Sequence, residues 1–377
     1  MATTAAPDVL TLFTELAAIP SPPGAERAVA DRVVAELQAL GLAVDEDDAG
    51  TRIDSTIGNL LCRLEPTDGG LPIFLCAHLD TVPPEGPIEP VVDDGLIRNA
   101  AGTILGADNK AAVAVMVEAV RRLLDERRPH AGIELLFTPK EEVGLLGAQA
   151  FDHERLRARV GFVYDHAASI GDVILGAPYQ MSLDVQFHGR AAHAGMYPEE
   201  GRSAIAAAAR AIADLRLGRL DEETTANVGQ IEGGTARNVV PEHCRFTAEA
   251  RCHDERRLQE LVQEMLDAVT FAASLAECDV ETKVEPRARG YRFRRDDLPV
   301  RLACSALERT GYEPRFGLSG GGADANVFNE RGLPCLNLAN GMAAIHTPDE
   351  HVAVADLEAM VEVTLALVDA ARETPQG

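Results

Sequence analysis

The feature that most constrains the fold is a set of short apolar runs, each ending abruptly in carboxylates or imidazoles. Residues 72–78, PIFLCAH, are nearly all apolar before His78-Leu79-Asp80. Residues 133–138, IELLFT, lead into Thr138-Pro139-Lys140-Glu141-Glu142, and the stretch 160–164 closes on Asp165-His166. Such continuous apolarity predicts strands buried on both faces. Helical patterns lie between them. Val9, Leu10, Leu12, Phe13, Leu16 and Ala17 recur at helical spacing until Pro20. Val29, Val33, Val34, Leu37 and Leu40 predict a helix over 25–40 that Gly41 stops, and a third helix is expected over 111–124. With a further strand at 59–64, strand and helix alternate. That alternation predicts α/β layers around a largely parallel sheet.

From about residue 176 to 286 the character changes. Residues 181–188 alternate apolar and polar, as a strand with one wet face does. An Ala-rich helix over 203–215 follows, then strands near 226–232 and 244–250, a helix over 255–273 and a strand near 278–284. This reads as an antiparallel sheet covered on one face by two helices. From about residue 299 the chain returns to helix, glycine loop, strand and a final helix over 354–371. A chain of 377 residues exceeds what one core usually serves. The expected organisation is one α/β domain of residues 1–177 and 287–377, interrupted by a small inserted α+β domain over 178–286.

Charge narrows the partners. Asp and Glu number 60 against 35 Lys and Arg, a formal charge of −25, so the surface repels nucleic acid and anionic membrane. Apolar residues at 46% argue for a packed core, built with only 4% aromatics and no Trp. The seven cysteines, at 62, 76, 244, 252, 278, 304 and 335, form no CxxC pair and read as reduced thiols. No stretch reaches the roughly 18 apolar residues of a membrane span, and the N-terminus lacks a basic segment before an apolar one. A cytoplasmic location is the expectation.

The polar strand ends carry the chemistry. His78-Leu79-Asp80 offers an imidazole with a carboxylate to orient it, although HxD also caps ordinary turns. Asp108, in Gly106-Ala107-Asp108-Asn109-Lys110 before a helix, can serve as ligand or as N-cap. Glu141 and Glu142 are adjacent at a buried strand end, which is costly unless a cation is near; they form either a solvated acidic turn or a pair in which one binds metal while the other moves protons. Asp165 and His346 close two further segments. His78, Asp108, Glu142, Asp165 and His346 combine oxygen and nitrogen donors suited to zinc, cobalt or manganese, and the five can hold two ions if one carboxylate bridges. His351, five residues beyond His346, is a rival ligand. Gly320-Gly321-Gly322 is either a flexible turn or an amide nest for a substrate carboxylate. Arg237 and Arg251 are candidate carboxylate partners.

HLDTVPP, GADNKAAVA, TPKEEVGLLGA, GRAAHAGMYPEEGRSAI, GGTARNVVPE, SGGGADANVF and IHTPDEHV occur in this order. The set resembles the M20 family of zinc metallopeptidases, most nearly its peptidase T-like tripeptidase branch. The resemblance implies a phosphorylase/hydrolase-like mixed-sheet α/β catalytic domain with an inserted α+β (ferredoxin-like) domain that forms a homodimer. It implies that His78 and Asp165 bind one zinc, that Glu142 and His346 bind a second, and that Asp108 bridges them. Asp80 would orient His78, and Glu141 would be the general base. His193, in Arg190-Ala191-Ala192-His193, would be the oxyanion donor supplied across the dimer, and Asn238 would contact substrate. The substrate is then a short peptide. Related families use the same centre to deacylate or decarbamoylate N-substituted amino acids, and a zinc-binding, peptide-sensing pseudoenzyme would lack a ligand or the base. Neither is missing. After Asp165 the run His166-Ala167-Ala168-Ser169 departs from the glycine-rich run of many relatives.

Overall fold

The computed structural model describes residues 8–375 and divides the chain into two compact units, residues 1–176 with 292–377 and residues 177–291. In the first unit, four central strands run parallel in the spatial order Ile133–Thr138, Ile73–His78, Gly161–His166 and Cys335–Ala339. Every residue of Ile133–Thr138, Ile73–His78 and Cys335–Ala339 is buried, as strands covered on both faces must be. The sheet is mixed because its flanks turn. Leu60–Leu64 pairs antiparallel with Ile133–Thr138, Val44–Glu46 antiparallel with Leu60–Leu64, and Asp172–Ala177 antiparallel with Cys335–Ala339. Around the sheet one continuous apolar cluster includes side chains from Val9–Ala17, Ala107–Asp125, Leu298–Arg309 and Val354–Arg372.

A short antiparallel sheet, formed by Pro90–Asp93, Leu96–Asn99 and His351–Ala353, was not evident from the sequence. Its strands are only three or four residues long, and Pro90–Asp93 is largely exposed, so they carry little apolar pattern. It joins the segment that precedes Asp108 to the segment that follows His346. His351 lies here, paired through its backbone with Arg98, and its Nδ1 is 2.8 Å from the Asp349 carbonyl.

The second unit is an antiparallel sheet ordered Gly218–Asp221, Thr224–Gly233, His243–Cys252, Tyr179–His188 and Asp279–Ala288. Leu183, Val185, Phe187, Phe246, Leu258 and Met265 share its core with the helices Ala204–Asp214 and Glu255–Leu275. Ser203 caps the first helix by accepting from the Ala206 amide at 3.2 Å, and Asp254 caps the second through the Arg257 amide at 2.8 Å. Among the described residues no helix is long and apolar enough to cross a membrane.

Candidate metal centre

The C-terminal ends of the parallel strands converge, the place where open α/β sheets put their sites. His78 is the last residue of its strand and is 2% exposed. Its Nδ1 lies 2.8 Å from the backbone carbonyl of Asp80 and its Nε2 lies 3.1 Å from Asp108 Oδ1. The Asp80 carboxylate stands 3.6 Å from Nδ1, so the nearer contact on the imidazole is the carbonyl. The carboxylate instead accepts the amides of Glu141 at 2.9 Å and Glu142 at 3.1 Å, holding the next strand's acidic turn against the first.

Asp108 lies at the entry to Ala107–Asp125, but its φ of −80° and ψ of 103° keep it out of the regular helix. It does not act as the N-cap. Its Oδ1 faces His78, and its Oδ2 lies 3.3 Å from His346 Nε2. His346 also meets Glu142 Oε1 at 3.0 Å, while Asp165 Oδ1 stands 3.8 Å from His78 Nε2. His78, Asp108 and Glu142 place one donor atom each within 4.8 Å of one another. The five candidate ligands are thus gathered by one carboxylate with an imidazole on each of its oxygens.

Two backbone positions beside these groups are left-handed, Lys140 at φ 56° and His346 at φ 62°. A side chain at such a φ is disfavoured and needs support from its surroundings. Lys140 has it, donating through Nζ to the carbonyls of Ile53 at 2.9 Å and Asp54 at 3.2 Å.

Burial and mutual charge set the protonation. Burial lowers the affinity of His78 for a proton, but Asp108, Asp165 and Asp80 outweigh it and hold the imidazole well above its ordinary pKa. Asp108 and Glu142 raise His346 to about 10. Burial would raise Asp108, yet the two imidazoles hold it below the usual carboxylate range. Burial and the neighbouring Asp108 push Asp165 up to about 7. Glu141 is raised well above its ordinary value by burial; His78 opposes this, and Asp165, Asp324 and Glu142 add to it.

Sequence reasoning missed the residues that hold this cluster. Glu350, 2% exposed, accepts the amides of Leu105 at 2.7 Å, Gly106 at 2.8 Å and Asp108 at 3.0 Å. Asn337 exchanges two hydrogen bonds with the backbone of Asp165, at 3.0 and 2.9 Å. Asp324, buried behind the sheet ends, accepts from Thr138 Oγ1 at 2.5 Å. Glu350 stands in IHTPDEHV beside exposed Asp349, and nothing local in the sequence separates the two.

The remaining candidates have other local settings. None of Gly320, Gly321 and Gly322 adopts positive φ, and the Gly321 amide is engaged by Ser319 Oγ at 3.0 Å. His193 and Asn238 belong to the inserted unit, where the loops that carry them are tied together: Ala194 donates to the Asn238 carbonyl at 3.0 Å, and His193 bridges Val239. His193 Nδ1 accepts the amides of Gly195 at 3.2 Å and Met196 at 3.1 Å. Arg251 pairs with Glu249 at 2.9 Å.

A sequence model of peptidase family M20/M25/M40 matches residues 74–370. The uncharacterized protein YqjE of Bacillus subtilis is 37% identical over 359 residues, which span 95% of this chain and 97% of that protein. The crystal structure of aminopeptidase PepT from Bacillus cereus superposes with a TM-score of 0.88 at 38% identity, covering 96% of this chain and 98% of its own. A tripeptidase from Staphylococcus aureus superposes with a TM-score of 0.92 at 35% identity, covering 97% and 98%.

Proposed function

The chain belongs to peptidase family M20/M25/M40, and from that premise we propose that it is a di- or tripeptide exopeptidase working at a dinuclear metal centre. The observation that carries the proposal is Asp108, whose two oxygens face His78 at 3.1 Å and His346 at 3.3 Å. His78 and Asp165 would hold one divalent ion, Glu142 and His346 a second, and Asp108 both. The donor set fits such ions. Carboxylates packed this closely below the surface repel one another unless cations sit among them, and mixed carboxylate and imidazole donors favour zinc, with cobalt or manganese accommodated. When bound, the ions polarise the scissile carbonyl and acidify the attacking water.

The chain's own groups do the rest. Glu141, fixed through its amide by Asp80 and raised in proton affinity by burial, takes the proton from the attacking water and delivers it to the leaving amine nitrogen. Two amides occupy His193 Nδ1 as acceptor, so the ring proton is on Nε2, and His193 is a hydrogen-bond donor for the oxyanion. We assign it to the partner subunit's centre in a homodimer built on the inserted unit. Asn238, on the loop paired with His193, and the Gly320 to Gly322 turn contact the substrate.

The test is Glu141→Gln, assayed on a library of di- and tripeptides with bound metal measured by elemental analysis. Metal content should match the wild type, and turnover should fall about 10²–10⁴-fold, the range of a lost general base. Near wild-type turnover removes Glu141 from the mechanism.

A further inference from the structure

The carboxylate proposed as the general base is not held through its own oxygens. Among the described residues no hydrogen bond or ion pair reaches the Glu141 side chain, so its place depends on the turn that carries it. That turn is closed on itself. The carbonyls of Pro139, Lys140 and Glu141 accept the amides of Gly147 at 3.0 Å, Leu146 at 3.0 Å and Leu145 at 2.8 Å. A turn closed in this way can still shift as a body, and side chains anchor it from two sides. On one side the Asp80 carboxylate accepts the amides of Glu141 and Glu142. On the other stands Lys140, the residue directly before the base.

Lys140 donates through Nζ to the carbonyls of Ile53 at 2.9 Å and Asp54 at 3.2 Å. Both acceptors lie at the C-terminal end of the short helix Ala49–Ile53, where the last carbonyls find no partner within the helix. That end is itself fastened. The buried Glu26 carboxylate accepts Ser55 Oγ at 2.8 Å and the Gly24 amide at 2.7 Å, and the Thr56 amide donates to the Gly24 carbonyl at 3.1 Å. Gly24, at φ 92°, lets the two segments meet, since a Cβ there would stand 3.2 Å from the Asp54 carbonyl. A chain of bonds thus runs from Glu26 through the 53–56 turn to the Lys140 side chain. Lys140 makes this reach from a φ of 56°, a conformation that glycine adopts more readily than lysine. What lysine brings there is the pair of bonds.

We propose that Lys140 is a positioning residue for Glu141: anchored on the carbonyls of Ile53 and Asp54, it fixes the turn from which the Glu141 carboxylate acts. The inference rests on the reading of Glu141 as the base. It assigns to the 49–56 segment, far away in sequence, the task of setting where that base stands.

The full-length protein is assayed on a tripeptide at saturating divalent metal. Values of kcat and KM are measured for Lys140→Met and Lys140→Gly, each alone and combined with Glu141→Gln. Methionine keeps an unbranched stem without a donor, and glycine accepts the left-handed backbone freely. Both should lower kcat about 10–100-fold, the scale of a reacting group displaced by around 1 Å, with KM nearly unchanged. In the Glu141→Gln background neither should lower the residual turnover further, because a residue that acts through the carboxylate then has nothing left to position. Wild-type kcat in Lys140→Met overturns the role, whether or not its melting temperature falls. So does wild-type kcat in Lys140→Gly, which would leave the backbone conformation as the only requirement. Equal losses in both backgrounds also overturn it, by placing the effect of Lys140 outside Glu141. Near wild-type turnover in Glu141→Gln itself is a different failure: it removes the base, and the positioning role with it.

Discussion

Buried Glu350 spreads its two carboxylate oxygens over the amides of Leu105, Gly106 and Asp108, and so fixes the backbone from which Asp108 reaches both imidazoles. Burial raises its pKa while the three amides work against that rise, so the charged form is the one the loop is built around. Glu350→Gln replaces an accepting oxygen with a donor that must face at least one of those amides. The expected result is a folded protein whose metal affinity falls about 10–100-fold, the usual cost of disturbing a ligand's support. A metal titration of the purified variant checks it. At this scale the candidates His78, Glu142 and Asp165 are legible because each lies at or just past the polar end of an apolar run. Asp108 was ambiguous between ligand and N-cap, because both readings place a carboxylate before a helix. Glu350 and Asn337 were not legible at all, since their partners are backbone groups far away in sequence.

Among the elements, the long buried ones follow from periodicity. Val9–Ala17, Ile73–His78, Ile133–Thr138 and Glu255–Leu275 lie where apolar spacing put them, within a few residues. The short helical turn His153–Arg155 carried no such signal. It has a consequence for stability. His153 lies between the rings of Phe151 at 5.6 Å and Phe328 at 5.3 Å, and neither ring nitrogen has a hydrogen-bond partner among the described residues. Burial, assisted by Arg331, depresses its pKa from 6.5 to about 4. The folded state therefore keeps His153 neutral while the unfolded chain binds a proton below 6.5, so stability is complete above that value and is lost as pH falls toward 4. In His153→Leu this loss is absent. Denaturant unfolding of wild type and variant should diverge by about 2 kcal/mol on going from about pH 7 to about pH 5, the variant being less acid-sensitive. Parallel pH profiles would show that the imidazole is not held neutral.

At the scale of the whole molecule, the two units have separate apolar cores, and the gathered carboxylates and imidazoles belong to one of them. Asp165 pushed up to about 7, and Glu141 raised with it, are the mark of a cluster whose negative charge is uncomfortable without cations. Metal binding to the folded state alone adds stability by mass action, about 3 kcal/mol at one hundred times the dissociation constant. For a unit of this size that corresponds to a shift of roughly 5–10 °C. Stripping the protein with a chelator should therefore lower the melting transition of the unit that holds His78 and Asp108 by that amount. Calorimetry across a zinc titration should restore it, with the midpoint climbing as the logarithm of free metal. A transition that ignores chelator and zinc alike would mean that the cluster is stabilised by protons rather than metal. In that case Asp165 and Glu141 would have to be carrying the protons that their raised affinities allow.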